Sequence, residues 1–573
     1  MTDRLAALLP YPASARLQPG NFPLSADTPI AAGPGARPAA AAVRRVLAAL
    51  PWPAGAGPAT GPGTGHGTGP EAGDPDGITV DISERLPDEG YQLRIGPGQV
   101  RITAGGEAGA FYAAQTIRQL LPDQAYRAAP VPGPPWQLPC AEIDDGPVLA
   151  WRGAHLDVAR HFFPKPVLLG FIDMLAAHKL NRFHLHLTDD QGWRIESGRY
   201  PALHQIGSHR PRTRIGHGRQ EPAVYDEIPH GGYYTLADLA EISAYAATRM
   251  VTIVPEIEVP GHASALLAAL PHLGSVPGER YEVSADWGIF PQIMSPLPAT
   301  VGFLAEIFGE LLGAIPAPFV HIGGDECVLD TWRQSPVIED YRRELGLASA
   351  DELHARFLRQ VADMLAGQFG ARAVVWDEGF GSGAGTPGGA LRPDTIVMAW
   401  RGTDIARRAA EAGHDVIATP VMPTYFDYYQ ADDEREPLAI GGPVTLADVA
   451  AFAPGAVAAG WPGQAGRHLI GTQFQLWTEY ISDRRALEYM AFPRACALAE
   501  VAWSGGPAQR PAAPDWPGRL AAQLRRLDAA GVGYRPLDGP RPWQQGGSGS
   551  RRHRTGHRIA DMSAHLDDIA SAE

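Results

Sequence analysis

FVHIGGDE, residues 319–326, is a short apolar run that ends in two glycines and two adjacent carboxylates. Burying one unpaired carboxylate is costly, and two side by side repel each other. A strand running into Gly-Gly-Asp-Glu therefore has an end that opens onto a site. Seven other segments share this form. AHLDVAR (154–160), RFHLHLTD (182–189) and VTIVPEIEV (251–259) precede it. RAVVWDE (372–378), TIVMAW (395–400), DVIATPVM (415–422) and TQFQLWTE (472–479) follow it. Helical stretches lie between most of them, such as PVLLGFIDMLAAHKL (166–180) and ADELHARFLRQVADMLAG (350–367). Eight short apolar strands alternating with helices predict an α/β fold, a (β/α)8 TIM barrel. A doubly wound open sheet is the main alternative. No internal repeat is evident.

The chain before the barrel reads differently. GITVDI (77–82), YQLRIG (91–96) and QVRITAG (99–105) are strand-like, and AGAFYAAQTIRQLL (108–121) follows. In that last run Phe111, Ala114, Ile117 and Leu120–Leu121 fall at helical spacing. The pattern predicts a small α+β domain over 1–147 and the barrel over 148–510. A C-terminal helix and extension occupy 511–540, and 541–573 reads as a disordered tail. Residues 53–77 have the composition of a flexible loop, with His66 as an ordinary loop residue.

Bulk composition narrows the function classes. At 573 residues the chain suggests two or more domains, and 45% hydrophobic content is globular. A formal net charge of −15 argues against a nucleic-acid partner. The one basic run, RRHRTGHR (551–558), reads as solvated tail. Cys140, Cys327 and Cys496 are far apart, odd in number and without metal-type spacing. No stretch is long and apolar enough to span a bilayer. The N-terminal apolar run is short for a signal peptide, so the expected location is cytoplasmic, with no membrane partner.

A barrel places catalytic residues at the C-terminal ends of its strands, and the polar residues obey that rule. The strand ends carry, in order, Asp157 and Arg160; Thr188-Asp189-Asp190; Glu256 and Glu258, with His262 beyond; and Asp325-Glu326. Trp376-Asp377-Glu378, Trp400-Arg401, Tyr425 with Asp427, and Trp477 with Glu479 complete the circuit. Carboxylates mixed with aromatics suit sugars, whose rings offer apolar faces for stacking and hydroxyls for acceptors. Paired carboxylates are also what glycoside cleavage needs. GFGSGA (379–384) follows a strand but leads into GTPGGALRP and not a helix, so it reads as a loop and not a phosphate cradle. Asp189-Asp190 with Asp325-Glu326 has carboxylates enough to hold a divalent ion, and nothing in its spacing demands one. No metal and no cofactor is expected.

HLDVARHFF (155–163), RFHLHLTDDQGWRIE (182–196), VPEIEVPGH (254–262), HIGGDE (321–326) and QLWTE (475–479) closely resemble the family 20 β-N-acetylhexosaminidases. The likeness covers about residues 148–505, and the small first domain is similar to the one preceding the barrel in that family. It implies substrate-assisted catalysis, in which the sugar's own 2-acetamido carbonyl attacks the anomeric carbon. By this likeness Glu326 is the general acid and then the base for water, and Asp325 orients the acetamido N–H. Tyr425 matches the tyrosine that bonds the acetamido oxygen. Trp376, Trp400 and Trp477 match the tryptophans that wall the acetamido pocket and stack on the sugar. Arg160, Asp427 and Glu479 match residues that grip sugar hydroxyls, and Asp189 and His262 match supports of the acid/base glutamate.

The resemblance implies an exo-acting, retaining enzyme that takes an oligosaccharide or glycoconjugate ending in β-linked GlcNAc or GalNAc. Release of a disaccharide and a non-catalytic sugar-binding barrel are the competing readings. One departure concerns EPLAIGGPV (436–444), where some family members carry a tryptophan for the incoming sugar. A neighbouring loop or Trp461 is expected to substitute.

Overall fold

The computed structural model of the chain describes residues 4–53, 77–381, 391–509 and 513–546. Nearly all of the glycine-rich loop with His66, the end of GFGSGA, and the tail from 547 with its basic run lie outside these residues. The small domain is a six-stranded sheet built from β1 (Ser14–Leu24), β2 (Ile30–Ala32), β3 (Gly77–Ile82), β4 (Tyr91–Ile95), β5 (Gln99–Ala104) and β6 (Trp136–Asp145). Its strand order is β1-β6-β4-β5-β3-β2. Two helices, α1 (Arg37–Ala48) and α2 (Glu107–Leu120), pack on each other and on this sheet. The helical spacing read in the sequence is the buried stripe of α2: Phe111, Ala114, Ile117 and Leu120 are all at most 2% exposed.

Eight parallel strands close into a barrel. They are Trp151–Asp157, Arg182–His186, Thr252–Glu256, Phe319–His321, Arg372–Trp376, Ile396–Ala399, Val416–Ala418 and Leu469–Phe474. The last pairs with the first from Gly471↔Trp151 to Phe474↔Ala154, so the sheet has no edge. The open-sheet alternative is thereby excluded. All eight expected strands are present, with shifted limits. The first and eighth end three and five residues sooner than their sequence patterns suggest, because Asp157 captures the chain beyond them. Its carboxylate accepts from the backbone N–H of Ala159 (2.7 Å), Arg160 (3.1 Å) and Thr478 (3.1 Å), which removes those groups from the ladder. GFGSGA also departs from its reading as a loop, since its first residues belong to a short helix, Asp377–Gly381.

The small domain docks on the N-terminal ends of the first two barrel strands. Arg152, fully buried, makes a two-pronged pair with Glu89 (2.8 and 2.7 Å). Lys179 reaches Asp145 at 2.9 Å, and Tyr91 and Trp503 bond the same carboxylate at 2.7 and 2.9 Å. A C-terminal helix, Trp516–Ala530, joins both bodies: Arg526 donates to Gln119 O of α2 at 3.1 Å, and Gln523 lies 3.0 Å from His178. The C-terminal ends of the barrel strands face away from this junction. No described helix is long and apolar enough to cross a membrane.

Candidate active site

The glycines of HIGGDE answer the question their sequence raises. The fourth strand stops at His321, and Gly323 and Gly324 take φ of +62° and +96°. A Cβ on Gly323 would lie 1.7 Å from Glu258 Oε1, and Gly324 N donates to that same oxygen at 2.9 Å. The backbone thus wraps the Glu258 carboxyl and turns Asp325 and Glu326 into the barrel mouth. Glu326 itself is left-handed, with φ +50°, as is His262, with φ +48°. Such backbone costs a non-glycine residue about 1–3 kcal/mol and concentrates where geometry serves a site.

His262 stands between two pairs of acids. Its Nδ1 is 3.0 Å from Asp190 Oδ2 and 3.3 Å from Asp189 Oδ1. Its Nε2 is 3.3 Å from Glu326 Oε2 and 4.0 Å from Asp325 Oδ2. Burial opposes a charge on this ring, but Asp189 and its other acidic partners reverse that and hold the imidazolium well above the usual range. The sequence places Asp190 at the strand end but assigns only Asp189 to the support of Glu326; in the structure Asp190 holds His262 as closely as Asp189 does. Asp189 also accepts from Arg160 Nη1 (2.9 Å) and lies 2.7 Å from His186 Nε2. The four carboxylates do not form one metal donor set. Each pair instead converges on His262.

A cavity of about 340 Å³ opens beside Glu326. Arg160, His262, Asp325, Glu326, Trp400, Tyr425, Asp427, Trp477 and Glu479 all line it. The Arg160 guanidinium sits 5.0 Å over the Trp477 ring and donates to Gln191 at 3.0 Å. Burial pushes Asp427 well above the usual carboxyl range and Glu479 beyond it adds to the shift. Glu479 is raised by burial too, against the pull of Arg160. Trp400 and Tyr425 have ring centroids 6.3 Å apart. Trp400 Nε1 donates to Glu378 at 2.8 Å, and Asp377 accepts the backbone N–H of Trp400 at 2.8 Å.

Two expected residues sit behind the lining. Asp189 acts on the cavity through Arg160, His262 and His186. Trp376 is 1% exposed, with its ring 4.7 Å from that of His321 and 5.9 Å from that of Trp477. It therefore backs Trp477 and does not face the cavity. Below lies Glu256, gripped by His184 (2.9 Å), by His186 and by His321 (2.6 Å). Burial works against a charge on His186, and Glu256 with Asp189 outweighs it, giving a pKa of about 10.

The outer wall comes from loops and not from Trp461. Trp461 does not line the cavity; Trp287, Ile289 and Ile440 do. His217, Gly218 and Arg219 also line it, with Gly218 N donating to Tyr480 Oη at 2.8 Å and the His217 and Tyr480 rings stacked at 5.7 Å. Two small antiparallel pairs, His209–Arg210 with His230–Gly231 and Arg214–Ile215 with Val224–Tyr225, shape this excursion. Neither has a periodic signal in the sequence.

A barrel whose open face sets paired acids among indole rings is built for cleaving glycosides, and likeness to known proteins agrees. The catalytic-domain model of glycosyl hydrolase family 20 matches residues 149–506, and the model of that family's domain 2 matches 6–146. The chain belongs to glycosyl hydrolase family 20. It is 37% identical over 473 residues to a beta-hexosaminidase of Porphyromonas gingivalis, covering 82% of this chain and 57% of that protein's length. A Vibrio harveyi exo beta-N-acetylglucosaminidase, solved with N-acetylglucosamine, superposes with a TM-score of 0.76 at 29% identity over 93% of this chain and 78% of that one. A Streptomyces coelicolor beta-N-acetylhexosaminidase gives 0.74 at 30% identity, covering 94% and 99%.

Proposed function

We propose that the protein is an exo-acting, retaining β-N-acetylhexosaminidase that releases terminal GlcNAc or GalNAc by substrate-assisted catalysis. The observation that carries this reading is the joint presence of Asp325, Glu326 and the Tyr425 hydroxyl on one cavity walled by Trp400 and Trp477. About 340 Å³ is at the small end of ligand pockets, which suits one sugar ring with its acetamido arm. The N-acetylglucosamine complex of the Vibrio harveyi relative supports the choice of sugar.

In this mechanism Glu326 gives its proton to the glycosidic oxygen while the acetamido carbonyl attacks the anomeric carbon. Asp325 takes the acetamido N–H and faces the positive charge that develops. Its contribution comes from being in place before that charge appears. Tyr425 donates to the acetamido oxygen. Glu326 then removes a proton from water, which opens the cyclic intermediate with overall retention. Arg160, Asp427 and Glu479 hold the ring hydroxyls. Hydrolysis of an aryl 2-acetamido-2-deoxy-β-glucoside beside the matching aryl β-glucoside tests the reading. Cleavage of the acetamido sugar alone is expected. Equal cleavage of both would place the nucleophile on the enzyme, and cleavage of neither would leave a sugar-binding barrel.

A further inference from the structure

We propose that Glu258 is a positioning residue for Asp325, a neutral carboxylic acid whose hydroxyl donates to the Asp325 carboxylate and sets its orientation. The proposal rests on the functional reading above for the role of Asp325. Its basis is geometric. Glu258 is 2% exposed and lines the same cavity as Asp325. One of its oxygens, Oε1, is occupied by Gly324 N–H. The other, Oε2, is buried and meets no N–H or hydroxyl donor, and Asp325 Oδ1 is buried in the same condition. Both carboxyls line one cavity, each keeps a buried oxygen without a partner, and each lies close enough to alter the acidity of the other. Two carboxyl groups so placed repel unless one carries a proton, and the shared proton then supplies the missing donor.

The surroundings assign that proton to Glu258. Burial first, then the Asp325 charge and Glu256, push the Glu258 carboxyl well above the usual range, against the pull of His262. Burial also raises Asp325, to about 6, where the His262 cation pulls down and Glu326 and Glu256 push up. Glu378, Tyr425 and the Cys327 thiol are the other titratable groups that feel this pair. His262 Nε2 lies 4.0 Å from the second Asp325 oxygen, Oδ2. Asp325 is thus held between a cation on one oxygen and a neutral donor on the other. A neutral partner orients the anion without adding a second negative charge beside it. Gly323 is part of the device, because any side chain there would displace the Glu258 carboxyl.

The test compares Glu258→Gln with Glu258→Leu in the full chain. Glutamine keeps an acceptor for Gly324 N–H and a donor for Asp325, whereas leucine keeps neither. The leucine variant should lose about 100-fold or more in kcat with KM little changed, and glutamine should recover all but about tenfold of it. Exchanging a neutral acid for a neutral amide removes no charge, so the acid limb of kcat/KM should stay in place in Glu258→Gln. If Glu258 were ionised at neutral pH, that limb would move down by about one unit or more, because one neighbouring charge would vanish. Infrared difference spectra of wild type minus Glu258→Gln at pH 7 supply a readout independent of activity. A protonated carboxyl carbonyl band is expected, and its absence overturns the proposal even if the leucine variant does not fold. Undiminished kcat in Glu258→Leu also overturns it. A wild type inactive on acetamido sugars would remove the functional reading instead, while the infrared band would still decide the protonation state.

Discussion

Glu326 and His262 are two of five non-glycine residues with left-handed backbone among those described, and their side chains meet. Strain held at such a pair costs stability and fixes direction. Glu326→Ala should lower turnover by about 100- to 10,000-fold, most for poor leaving groups and least for activated aryl glycosides. Initial rates on a disaccharide and on an aryl substrate check this, and near-normal turnover of the disaccharide would remove Glu326 as the acid. The pH profile follows from Asp325. Its carboxyl, raised to about 6 mainly by burial, must be ionised to accept the acetamido N–H. kcat/KM should therefore fall as pH drops through about 6. The same shift makes the ionised Asp325 a penalty on folding that grows as pH rises from the ordinary carboxyl range through 6. At this scale the sequence was legible wherever a residue follows the C-terminal end of a strand: Arg160, Asp325, Tyr425, Asp427 and Glu479 were all singled out from position. Asp190 was legible as a strand-end acid but not as a partner of His262, because a second aspartate beside the first carries no separate pattern. Only the +48° turn at His262 shows that both face the same ring.

Among the elements, the short fourth strand, Phe319–His321, with its glycine turn is the most constrained. Gly323→Ala would combine φ +62° with a Cβ placed 1.7 Å from the Glu258 carboxyl. A loss of at least about 2 kcal/mol is expected from strain and displaced hydrogen bonding, together with loss of activity. Gly170→Ala is the contrasting case. Gly170 lies in the helix Lys165–Ala177, where an added Cβ meets nothing within 4 Å. That change should stabilise by about 0.5–1 kcal/mol. Urea unfolding of the two variants reads both signs. The strands were legible because each is a short apolar run, and most are cut off by charge. Their limits were less so, since Asp157 takes over the N–H groups of residues 159, 160 and 478, and the capture of 478 depends on the pairing of the last strand with the first. The outer wall of the cavity was legible only as an expected neighbouring loop, without its residues. Gly218 is held by Tyr480, 262 residues away in the chain, and no local periodicity encodes such a bond.

For the whole molecule, the small domain holds the closed end of the barrel through a few desolvated charges. Glu89→Ala would leave Arg152, fully buried, without its carboxylate. Breaking one side of a buried pair costs about 3–5 kcal/mol. The thermal midpoint should drop, while kcat of the remaining folded protein stays near wild type, because Glu89 lies at the end of the barrel away from the cavity. A fall in kcat at unchanged midpoint would mean that the small domain takes part in the reaction.

The loop at 217–219 that lines the cavity, pinned at Gly218 to Tyr480, bears on the order of events in each turnover. A barrel interior is packed, so whatever enters the mouth must leave by it. On the proposed reading the shortened chain leaves first, and the freed monosaccharide is the last to depart. The polymer cannot slide inward for a second cut while that sugar occupies the cavity. Degradation should therefore be distributive, with intermediates of every length in solution, and the released monosaccharide should compete with the substrate for the empty enzyme.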